Sequence, residues 1–373
     1  MRKKTIAYIN PDCFADTDLS VLKYLAPEFD LHWYAVYYTD RDINYKPDAL
    51  AAYAEANGID IHLCPRKYRQ RDPRNLFFYH KIVSDINRHH PDLVYTCISE
   101  ELWWTLSLYR INSPVKVLGI HDVVRHSYSG RIKPFIQTRI QDFTIKHFEH
   151  FFVFSENQRM LFSQKYGKDA ACPGMSRKNF GPAAKSAGPL EKGVKLLFFG
   201  SIERYKGLDL LIKELESLGA EGVNNIRLTI AGRGNDWDAC ASLIKTESLY
   251  NLQIGFIDNA DIPNLFGAHH FLILPYRDAT QSGPQLIALN YGLPIIAPAY
   301  GCFKEVYGED SALLYDSLAA ALRRVANMSQ DEYDAICTSV ESDRERFSEE
   351  VIAEAYIKNF SILMNNNENP ALQ

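Results

Sequence analysis

A basic loop joins a predicted strand to a predicted helix near the middle of the chain. Residues 194–200 read VKLLFFG and predict a buried strand that ends at Gly200. Arg204 and Lys206 follow in a short loop, and Gly207 opens an amphipathic stretch. Two cations before a helix N-terminus are suited to binding a diphosphate, because the side chains and the first helix amides all attract negative charge. A solvated turn is the alternative interpretation.

A second loop with anion-binding character follows the predicted strand FLILPY (271–276). It ends in a run of small polar residues, which are Thr280, Gln281, Ser282 and Gly283. Small residues let backbone amides approach an anion closely. A helix is predicted to begin after this run. Asp278 is the carboxylate at the mouth of the loop, and it is either a group that contacts the ligand or an ordinary N-terminal helix or turn acid.

A histidine follows a predicted strand in the first half of the chain. VKVLGI (115–120) predicts a buried strand, and His121 and Asp122 come next. Ligands of open α/β sheets bind beyond the carboxyl ends of the strands, and an imidazole titrates near neutral pH. His121 is therefore a candidate for substrate contact, with a structural histidine as the alternative. His126 is a further candidate.

Short apolar runs alternate with amphipathic stretches along the whole chain, for example the helical patterns at 75–90 and 99–111. The predicted strands are 5–10, 31–38, 60–64, 92–97, 115–120, 151–155, 194–200, 226–232, 252–256, 271–276 and 293–298. Continuous apolar strands joined by helices predict buried parallel sheets, hence an α/β fold.

Length and composition predict two domains. The chain has 373 residues, and single cores stop growing near about 250–300 residues. Residues 172–193 are rich in Gly, Pro, Ala, Ser and Lys, which is typical of a connector. We predict an N-terminal domain at 1–172, a linker at 173–192, a second domain at 193–345, and a C-terminal helix and tail at 346–373.

The net charge of −5 combines a basic first half with an acidic second half. A basic half suits an anionic partner such as a phospholipid surface or a phosphate-bearing acceptor. The excess of positive charge is too small to indicate nucleic acid. No GxGxxG follows the first strand and no GxxxxGK[ST] occurs, which argues against NAD binding and against a P-loop.

The seven cysteines are widely scattered, with no CxxC pair and no zinc-type spacing. This pattern fits a reducing compartment and predicts no metal site. The N-terminus has only a six-residue apolar strand after its basic residues, which is too short for a signal peptide. Without an apolar window of about 18 residues, we expect no membrane span and a cytoplasmic protein.

Three segments, in this order and spacing, resemble glycosyltransferase family 4 of the GT-B fold. They are FFGSIERYKGLDLLI (198–212), LTIAGRGND (228–236) and the stretch 271–298. The resemblance covers about 193–315. In the first half, the stretches 117–130 and 153–167 resemble the family's His-Asp loop and its Ser-Glu strand end. The resemblance implies two Rossmann-like domains whose parallel sheets face a central cleft.

The resemblance assigns roles to the two basic residues and to the histidine. Lys206 matches the family lysine that meets the diphosphate of the donor. The family often has an arginine where this chain has Ser201, and Arg204 would supply that charge. Residue His121 would face the donor sugar across the cleft, and Asp278 would help to orient its hydroxyls.

Further donor contacts are implied around the next two strands. Gly232 and Gly234 match the family's tight turn after the second strand of this domain, and Gly200, which ends the first strand, is assigned to the donor site as well. Phe256 and Ile257 resemble the strand end where the nucleobase stacks and meets backbone groups.

The chain departs from the family in its acidic signature. The family carries a glutamate, seven residues, and a second glutamate. The first position falls near Ala279, beside Asp278, and the second falls at Ile287. An isoleucine cannot hydrogen-bond a ribose, so the ribose contact and one sugar-hydroxyl contact lack their usual partners.

The resemblance implies a retaining, metal-independent glycosyltransferase without a cofactor. It would move a sugar from a nucleotide-sugar donor, such as a UDP- or GDP-sugar, to a glycan or lipid-linked acceptor in cell-surface polysaccharide synthesis. Residues 11–18 would form the acceptor loop. The alternatives are a catalytically silent binding or assembly subunit, and a sugar-nucleotide epimerase of the same architecture.

Asp16-Thr17-Asp18 also spells the DxD that binds a metal–nucleotide in the other large glycosyltransferase fold. Here it follows the first strand, so we interpret it as a helix start. The basic run 65–75 and the basic amphipathic stretch 131–148 would suit anionic lipid at the inner face of the plasma membrane. A solvated loop and an ordinary domain helix are the alternatives.

Overall fold

The computed structural model describes residues 2–39, 45–124, 132–279, 281–299, 301–308 and 310–368. Contacts divide the chain into two compact units. The first unit comprises Met1–Ser176 and Glu349–Gln373, and the second comprises Arg177–Ser348. The division falls within the predicted linker, and the C-terminal segment belongs to the first unit.

The first unit is a parallel six-stranded sheet with helices between its strands. Its elements in chain order are β1 (Thr5–Pro11), α1 (Ala15–Leu25), β2 (Asp30–Tyr38), α2 (Pro47–Ala56), β3 (Asp60–Arg66), α3 (Arg74–Arg88), β4 (Leu93–Thr96), α4 (Leu102–Ser107), β5 (Val115–Ile120), α5 (Ile132–Ile145), β6 (His150–Val153) and α6 (Glu156–Tyr166). The strand order is β3-β2-β1-β4-β5-β6.

The second unit repeats this architecture. Its elements are β7 (Val194–Phe199), α7 (Leu208–Ala220), β8 (Ile226–Gly232), α8 (Trp237–Ala241), β9 (Tyr250–Ile254), α9 (Ile262–Gly267), β10 (Phe271–Ile273), α10 (Gly283–Asn290), β11 (Ile295–Pro298), α11 (Phe303–Val306), β12 (Ala312–Tyr315), α12 (Leu318–Ala326) and α13 (Gln330–Arg346). The strand order is β12-β11-β10-β7-β8-β9, again with parallel pairing.

Apolar sequence periodicity accounts for these elements. Six consecutive residues of β1 are buried, as expected for a central parallel strand covered on both faces. In α3 the buried residues Tyr79, Ile82, Val83 and Ile86 recur at helical spacing and face the sheet. The predicted α/β class and GT-B architecture of two Rossmann-like domains are confirmed by the two parallel sheets.

A C-terminal helix completes the first unit. Helix α14 (Glu349–Glu368) packs on α1, with a hydrogen bond of 2.5 Å from Tyr24 Oη to Glu350. The rings of Phe360 and Phe152 stack at a centroid distance of 5.4 Å. The predicted final helix at 346–364 thus begins three residues later, because Arg346 ends α13.

Two details of the predicted elements were wrong. Strand β12 was missed, because ALLY is only four residues long and follows a polar turn. The helix predicted at 99–111 is the shorter α4, followed by a 3₁₀ turn at Leu108–Arg110. Within the described residues, none of the helices combines the length and apolarity needed to cross a membrane.

Each sheet reverses its strand order at one place. In the second unit the reversal lies between β7 and β10, which are neighbours in the sheet although β8 and β9 come between them in the chain. Loops at such a point diverge to opposite faces and leave a crevice beyond the carboxyl ends of the strands. The topology therefore brings together the two loops that the sequence predicts to bind anions.

Candidate functional site

The loop after β7 holds Lys206 in a buried position. The chain leaves β7 at Gly200, with φ +111°, and forms a 3₁₀ turn at Arg204–Lys206. The side chain of Lys206 returns towards the strand end, since an ideal Cβ on Gly200 would lie 3.1 Å from its Nζ. A glycine at position 200 therefore leaves room for the ammonium at the carboxyl end of β7.

The environment of Lys206 favours an anionic ligand. Lys206 is only 6% exposed, and burial lowers the pKa of its ammonium. The charge faces the rings of Tyr276 and Tyr205, at 5.5 and 6.0 Å from their centroids. Among the residues that the structure describes, no carboxylate forms an ion pair with it. A buried cation without an anion is costly, and a bound phosphate would remove that cost.

Backbones approach one another closely around this lysine. An ideal Cβ on Gly232 would lie 1.9 Å from Gly200 O, and one on Gly234 would lie 2.0 Å from Ile202 O. The amide of Gly200 donates to Ala231 O at 2.9 Å. The loops after β7 and β8 are therefore in direct main-chain contact, which only glycines at these positions allow.

The loop after β10 is tied to the lysine loop by Arg277. Its guanidinium donates two hydrogen bonds of 2.7 Å to the carboxylate of Asp209, at the start of α7. It also donates to Arg204 O at 2.7 Å, and its amide donates to Tyr205 O at 2.7 Å. A bidentate arginine–carboxylate pair fixes geometry as well as charge. This pair holds the two loops in register.

The predicted cation Arg204 differs from Lys206 in its surroundings. The side chain of Arg204 is exposed. Its backbone carbonyl accepts the hydrogen bond from the guanidinium of Arg277. A flexible exposed guanidinium can still reach a ligand held at Lys206. The structure thus brings both predicted cations to one loop, with Lys206 fixed.

The small polar run leads into the N-terminus of α10. Ser282 is the N-cap residue, but its hydroxyl donates to Tyr276 Oη at 3.4 Å and does not cap the first turn. The Nε2 of Gln281 is buried without a hydrogen-bond partner in the described part of the chain. Pro284 has no N–H and the amide of Gln285 donates to Ser282 O, so the amide of Gly283 and the Nε2 of Gln281 are the donors at this helix start. Thr280 lies outside the described residues.

A further cation reaches the start of this helix. An ideal Cβ on Gly283 would lie 3.7 Å from Lys178 Nζ, and the amide of Lys178 donates to Leu286 O at 3.1 Å. Lys178 belongs to the connector, where sequence analysis assigned no functional residue. Its position adds positive charge at the N-terminal end of α10.

Ile287 occupies the second position of the family's acidic signature, and Asp278 lies beside the first. Asp278 is half-buried beside Arg277, and its role toward a sugar stays a prediction. Ile287 is buried within α10. Its side chain packs as a core residue and offers no hydrogen bond.

An exposed aromatic ring marks the end of β9. Phe256 is 45% exposed, and the guanidinium of Arg233 lies 5.4 Å from its ring centroid. The amide of Gly255 donates to Gly232 O at 2.9 Å, which joins this end of the sheet to the glycine turn. Ile257 follows and is half-buried. An exposed ring with an adjacent guanidinium is suited to stacking on a flat base.

His121 lies at the carboxyl edge of the sheet in the first unit. Its ring is stacked between Phe14 and Phe154, at 4.2 Å from each centroid. Phe14 belongs to the predicted acceptor loop, and Phe154 follows β6. The structure therefore brings His121 to the loops beyond β1, β5 and β6, while its contact with a donor sugar stays a prediction. His126 lies outside the described residues.

The Asp16-Thr17-Asp18 motif starts α1, as predicted. Asp18 is buried and accepts hydrogen bonds of 2.8 Å from Tyr8 Oη and from Asn10 Nδ2. Burial raises the pKa of its carboxyl to about 7. Asp18 is thus engaged inside the protein and ties β1 to α1.

Asp18 predicts a pH dependence of stability. The folded protein retains the carboxyl proton up to about pH 7, whereas the unfolded chain releases it near pH 3.8. Folding therefore takes up a proton between these values, and stability falls as the pH rises through that window. Asp18→Asn does not titrate, so its unfolding free energy should improve relative to the wild type by a few kcal/mol between pH 4 and 7. Urea unfolding of both proteins at several pH values measures this difference, and a pH-independent difference would contradict it.

One of the two predicted basic surfaces is corrected by the structure. Arg66 is 3% exposed, forms an ion pair with Glu101, and packs over the ring of Tyr38 at 3.8 Å. Arg74 pairs with Asp72 at 2.6 Å. The run 65–75 is therefore not a continuous basic surface, because part of its charge is neutralised within the protein.

Sequence comparison agrees with this geometry. Residues 193–330, which contain all the second-unit loops described above, match the family model described as glycosyl transferases group 1. This part of the chain is therefore similar to the group 1 glycosyltransferases. Membership of glycosyltransferase family 4 in particular stays a prediction. No curated protein sequence gives a significant match.

Solved structures share the fold of this chain over both units. A glycosyltransferase from Rickettsia africae ESF-5 is 15% identical with a TM-score of 0.71, covering 98% of this chain and 100% of its own. A UDP-N-acetylglucosamine 2-epimerase is 14% identical with a TM-score of 0.61, covering 97% of each chain. A mutant of S. aureus TarM bound to fondaparinux, α-GlcNAc-glycerol and UDP is 16% identical with a TM-score of 0.61, covering 78% of this chain and 59% of its own.

Proposed function

We propose that this protein transfers a sugar from a nucleotide-sugar donor to an acceptor hydroxyl, with the diphosphate of the donor held at Lys206. The observation that carries the proposal is a buried ammonium without an ion-pair partner among the described residues. It lies at the carboxyl end of β7, where the strand order reverses. A group 1 glycosyltransferase domain provides the chemical context for this site.

The site supplies the interactions that departure of a nucleoside diphosphate needs. When the bond from the sugar C1 to the phosphate oxygen breaks, the electron pair remains on the phosphate and negative charge accumulates there. Lys206, the amide of Gly283 and the Nε2 of Gln281 can stabilise that charge without reorganisation. Fixed donors of this kind support a reaction that requires no metal ion.

The bond-forming step uses the acceptor hydroxyl. Its oxygen forms the new bond to C1, and its proton passes to the phosphate oxygen that leaves. Attack from the side that the diphosphate vacates keeps the anomeric configuration, so we propose retention. No side chain is then required as a covalent nucleophile.

Phe256 and Arg233 are proposed to hold the nucleobase. The exposed ring offers a stacking face at the end of β9, and the adjacent guanidinium can cover the opposite side or a phosphate. The similar TarM structure contains UDP, and the similar epimerase is named for a UDP-sugar. UDP-sugars are therefore the first donors to test, followed by GDP-sugars.

Two rival functions use the same architecture. A 2-epimerase would isomerise the sugar of its nucleotide donor, and a silent subunit would bind the nucleotide without converting it. The missing glutamate at Ile287 favours a silent subunit, whereas the intact Lys206 loop and the unsatisfied Gln281 favour catalysis. A transferase, an epimerase and a silent subunit would all bind the nucleotide, so binding alone cannot distinguish these three functions.

Nuclear magnetic resonance of reacting mixtures separates these functions. The purified protein is incubated with each of several UDP-, GDP-, ADP- and dTDP-sugars, and phosphorus and proton spectra are followed. Free nucleoside diphosphate with a new sugar signal of unchanged anomeric configuration supports the proposal. An epimerised nucleotide sugar would establish the epimerase, and unchanged spectra with nucleotide binding would establish the silent subunit.

We further propose a glycan or lipid-linked acceptor used at the inner face of the plasma membrane. Helix α5 and the residue after it present an exposed stripe in which apolar and cationic residues alternate, namely Phe135, Arg139 and Phe143 in the helix and Lys146 just beyond its end. Phe135 is 59% exposed, and Arg139 lies over its ring at 5.2 Å. Such a stripe can rest on anionic headgroups. Arg131 and the side chain of Lys133 lie outside the described residues.

The α5 stripe predicts binding to anionic vesicles. The wild type should float with vesicles that contain phosphatidylglycerol and remain unbound with pure phosphatidylcholine. Phe135→Ser combined with Phe143→Ser should weaken binding at least about tenfold, because burying an aromatic side chain contributes about 1.5–3 kcal/mol. Ile362→Ser, which removes an exposed apolar residue of α14, serves as the control. Equal flotation of all three proteins would contradict the role of the stripe.

A further inference from the structure

Three histidines that are far apart in sequence meet on one face of the first unit. His32 lies near the start of β2, His62 lies in β3, and His89 follows the last turn of α3. One potential ligand atom from each lies within 4.8 Å of the others. The ring centroids of His32 and His89 are 3.9 Å apart, and those of His62 and His89 are 5.4 Å apart.

Strand register explains why these imidazoles converge. His32 pairs with Asp60 and Tyr34 pairs with His62 in the parallel β2–β3 ladder. Alternate residues of a strand share a face, so all four side chains point to the same side of the sheet. Helix α3 packs on that side. Polar side chains thus occupy a position between sheet and helix where apolar packing is usual.

Helix α3 completes the ring of polar groups. Asp85 lies on α3 four residues before His89, so both side chains project from the same helix face. Asp85 Oδ2 lies 3.2 Å from His62 Nδ1 and 4.0 Å from His89 Nε2. The helix therefore contributes one imidazole and one carboxylate to the cluster.

The carboxylates orient two of the histidines as metal ligands. His32 Nδ1 hydrogen-bonds to Asp60 Oδ2 at 2.9 Å, and His62 Nδ1 lies 3.2 Å from Asp85 Oδ2. A proton on each Nδ1 leaves the lone pair on Nε2. The Nε2 of His62 is buried and forms no hydrogen bond among the described residues, although it lies 3.4 Å from Asp60 Oδ2. Carboxylate–imidazole pairs of this kind orient the histidines of metal sites.

We propose that His32, His62 and His89 bind a divalent transition-metal ion, for which Zn²⁺ is the best match. Three neutral imidazoles are the ligand set that zinc favours, and its fourth position can be taken by water or by Asp60. The carboxylates of Asp60 and Asp85 balance the charge of a divalent ion. Asp85 also forms an ion pair with Arg88 at 3.2 Å. Ligand nitrogens within 4.8 Å need only small rotations to reach bonding distances of about 2.0–2.1 Å.

The proposed metal would have a structural function. His32 and Asp60 lie at the amino ends of their strands, opposite to the carboxyl edge that carries His121. The ion would clamp the edge strand β3 and the end of α3 to β2. The prediction of no metal site relied on cysteine spacing, which cannot detect histidines separated by about 30 residues.

Metal content and stability test this proposal together. The protein is stripped with EDTA, loaded with Zn²⁺ alone, passed through gel filtration and analysed for bound metal, and its affinity is measured against a chromogenic chelator. One zinc per chain and a raised melting temperature are expected for the wild type. His89→Gln and His62→Gln should each weaken binding at least about 100-fold and abolish the stabilisation. His80→Gln, on the same helix but outside the cluster, is the matched control.

Cobalt spectroscopy identifies the ligands independently of any folding defect. Wild-type protein loaded with Co²⁺ should show the visible bands of a tetrahedral or five-coordinate ion without a thiolate charge-transfer band. A thiolate band would assign the metal to cysteines and overturn the proposal. Absence of retained zinc in the wild type, or equal affinity in wild type, His62→Gln and His89→Gln, would overturn it as well.

Discussion

Replacing Lys206 with methionine should remove most of the nucleotide release from a donor sugar while leaving the protein at least as stable as the wild type. The ammonium is buried without an ion pair among the described residues, and its burial lowers its pKa, so it costs folding free energy. Methionine fills a similar volume without that cost. Loss of one preorganised donor typically reduces kcat by about 100- to 1000-fold.

Two measurements check the expected opposition between stability and activity. Thermal unfolding should give an equal or higher melting temperature for Lys206→Met, and donor turnover should give the large loss. Lys213→Met removes an exposed lysine of the same α7 helix and should leave both quantities nearly unchanged. Full turnover in Lys206→Met would show that the diphosphate binds elsewhere.

Gly207→Ala should strongly destabilise the second unit. The residue has φ +69°, and an ideal Cβ would lie 1.9 Å from Pro275 O. Strain in the left-handed region and forced separation of the two loops add to about 3–5 kcal/mol. The displaced segment is the one that carries Arg277, so donor binding should weaken too.

Gly58→Ala is the matched control for this substitution. Its φ of +64° is nearly the same, and nothing lies within 4 Å of its ideal Cβ. Gly58→Ala should lower the free energy of unfolding only by the backbone strain of the left-handed region, about 1–2 kcal/mol. Denaturant unfolding of the two variants isolates the contribution of the loop contact. Equal destabilisation of both would contradict a close approach between the loops after β7 and β10.

The sequence predicts the architecture because apolar runs are strong local signals. All eleven predicted strands occur, and the two loops predicted to bind anions follow β7 and β10. The strand order explains why the loops after β7 and β10, about 75 residues apart in the chain, lie close together. In the sequence, only the parallel α/β pattern indicates this proximity. The position of Lys206 was predictable from its type and its place after a strand.

Side-chain pairing over long separations was not predictable. Nothing local distinguishes Arg277 from other surface arginines, and its partner Asp209 is 68 residues away. Likewise, Arg66 belongs to a basic run in sequence, yet it is buried against Glu101. The cluster of His32, His62 and His89 depends on the register of β2 and β3, which periodicity does not determine.

Calorimetric binding of nucleoside di- and monophosphates to the wild type and to Lys206→Met tests the central claim most directly. If Lys206 binds the terminal phosphate of the leaving group, the wild type should prefer UDP over UMP, or GDP over GMP, and the variant should lose that preference. The coupling between the lysine and the terminal phosphate should be about 1.5–3 kcal/mol, as for other charged hydrogen bonds. Equal weakening of diphosphate and monophosphate, or no weakening of either, would contradict the account.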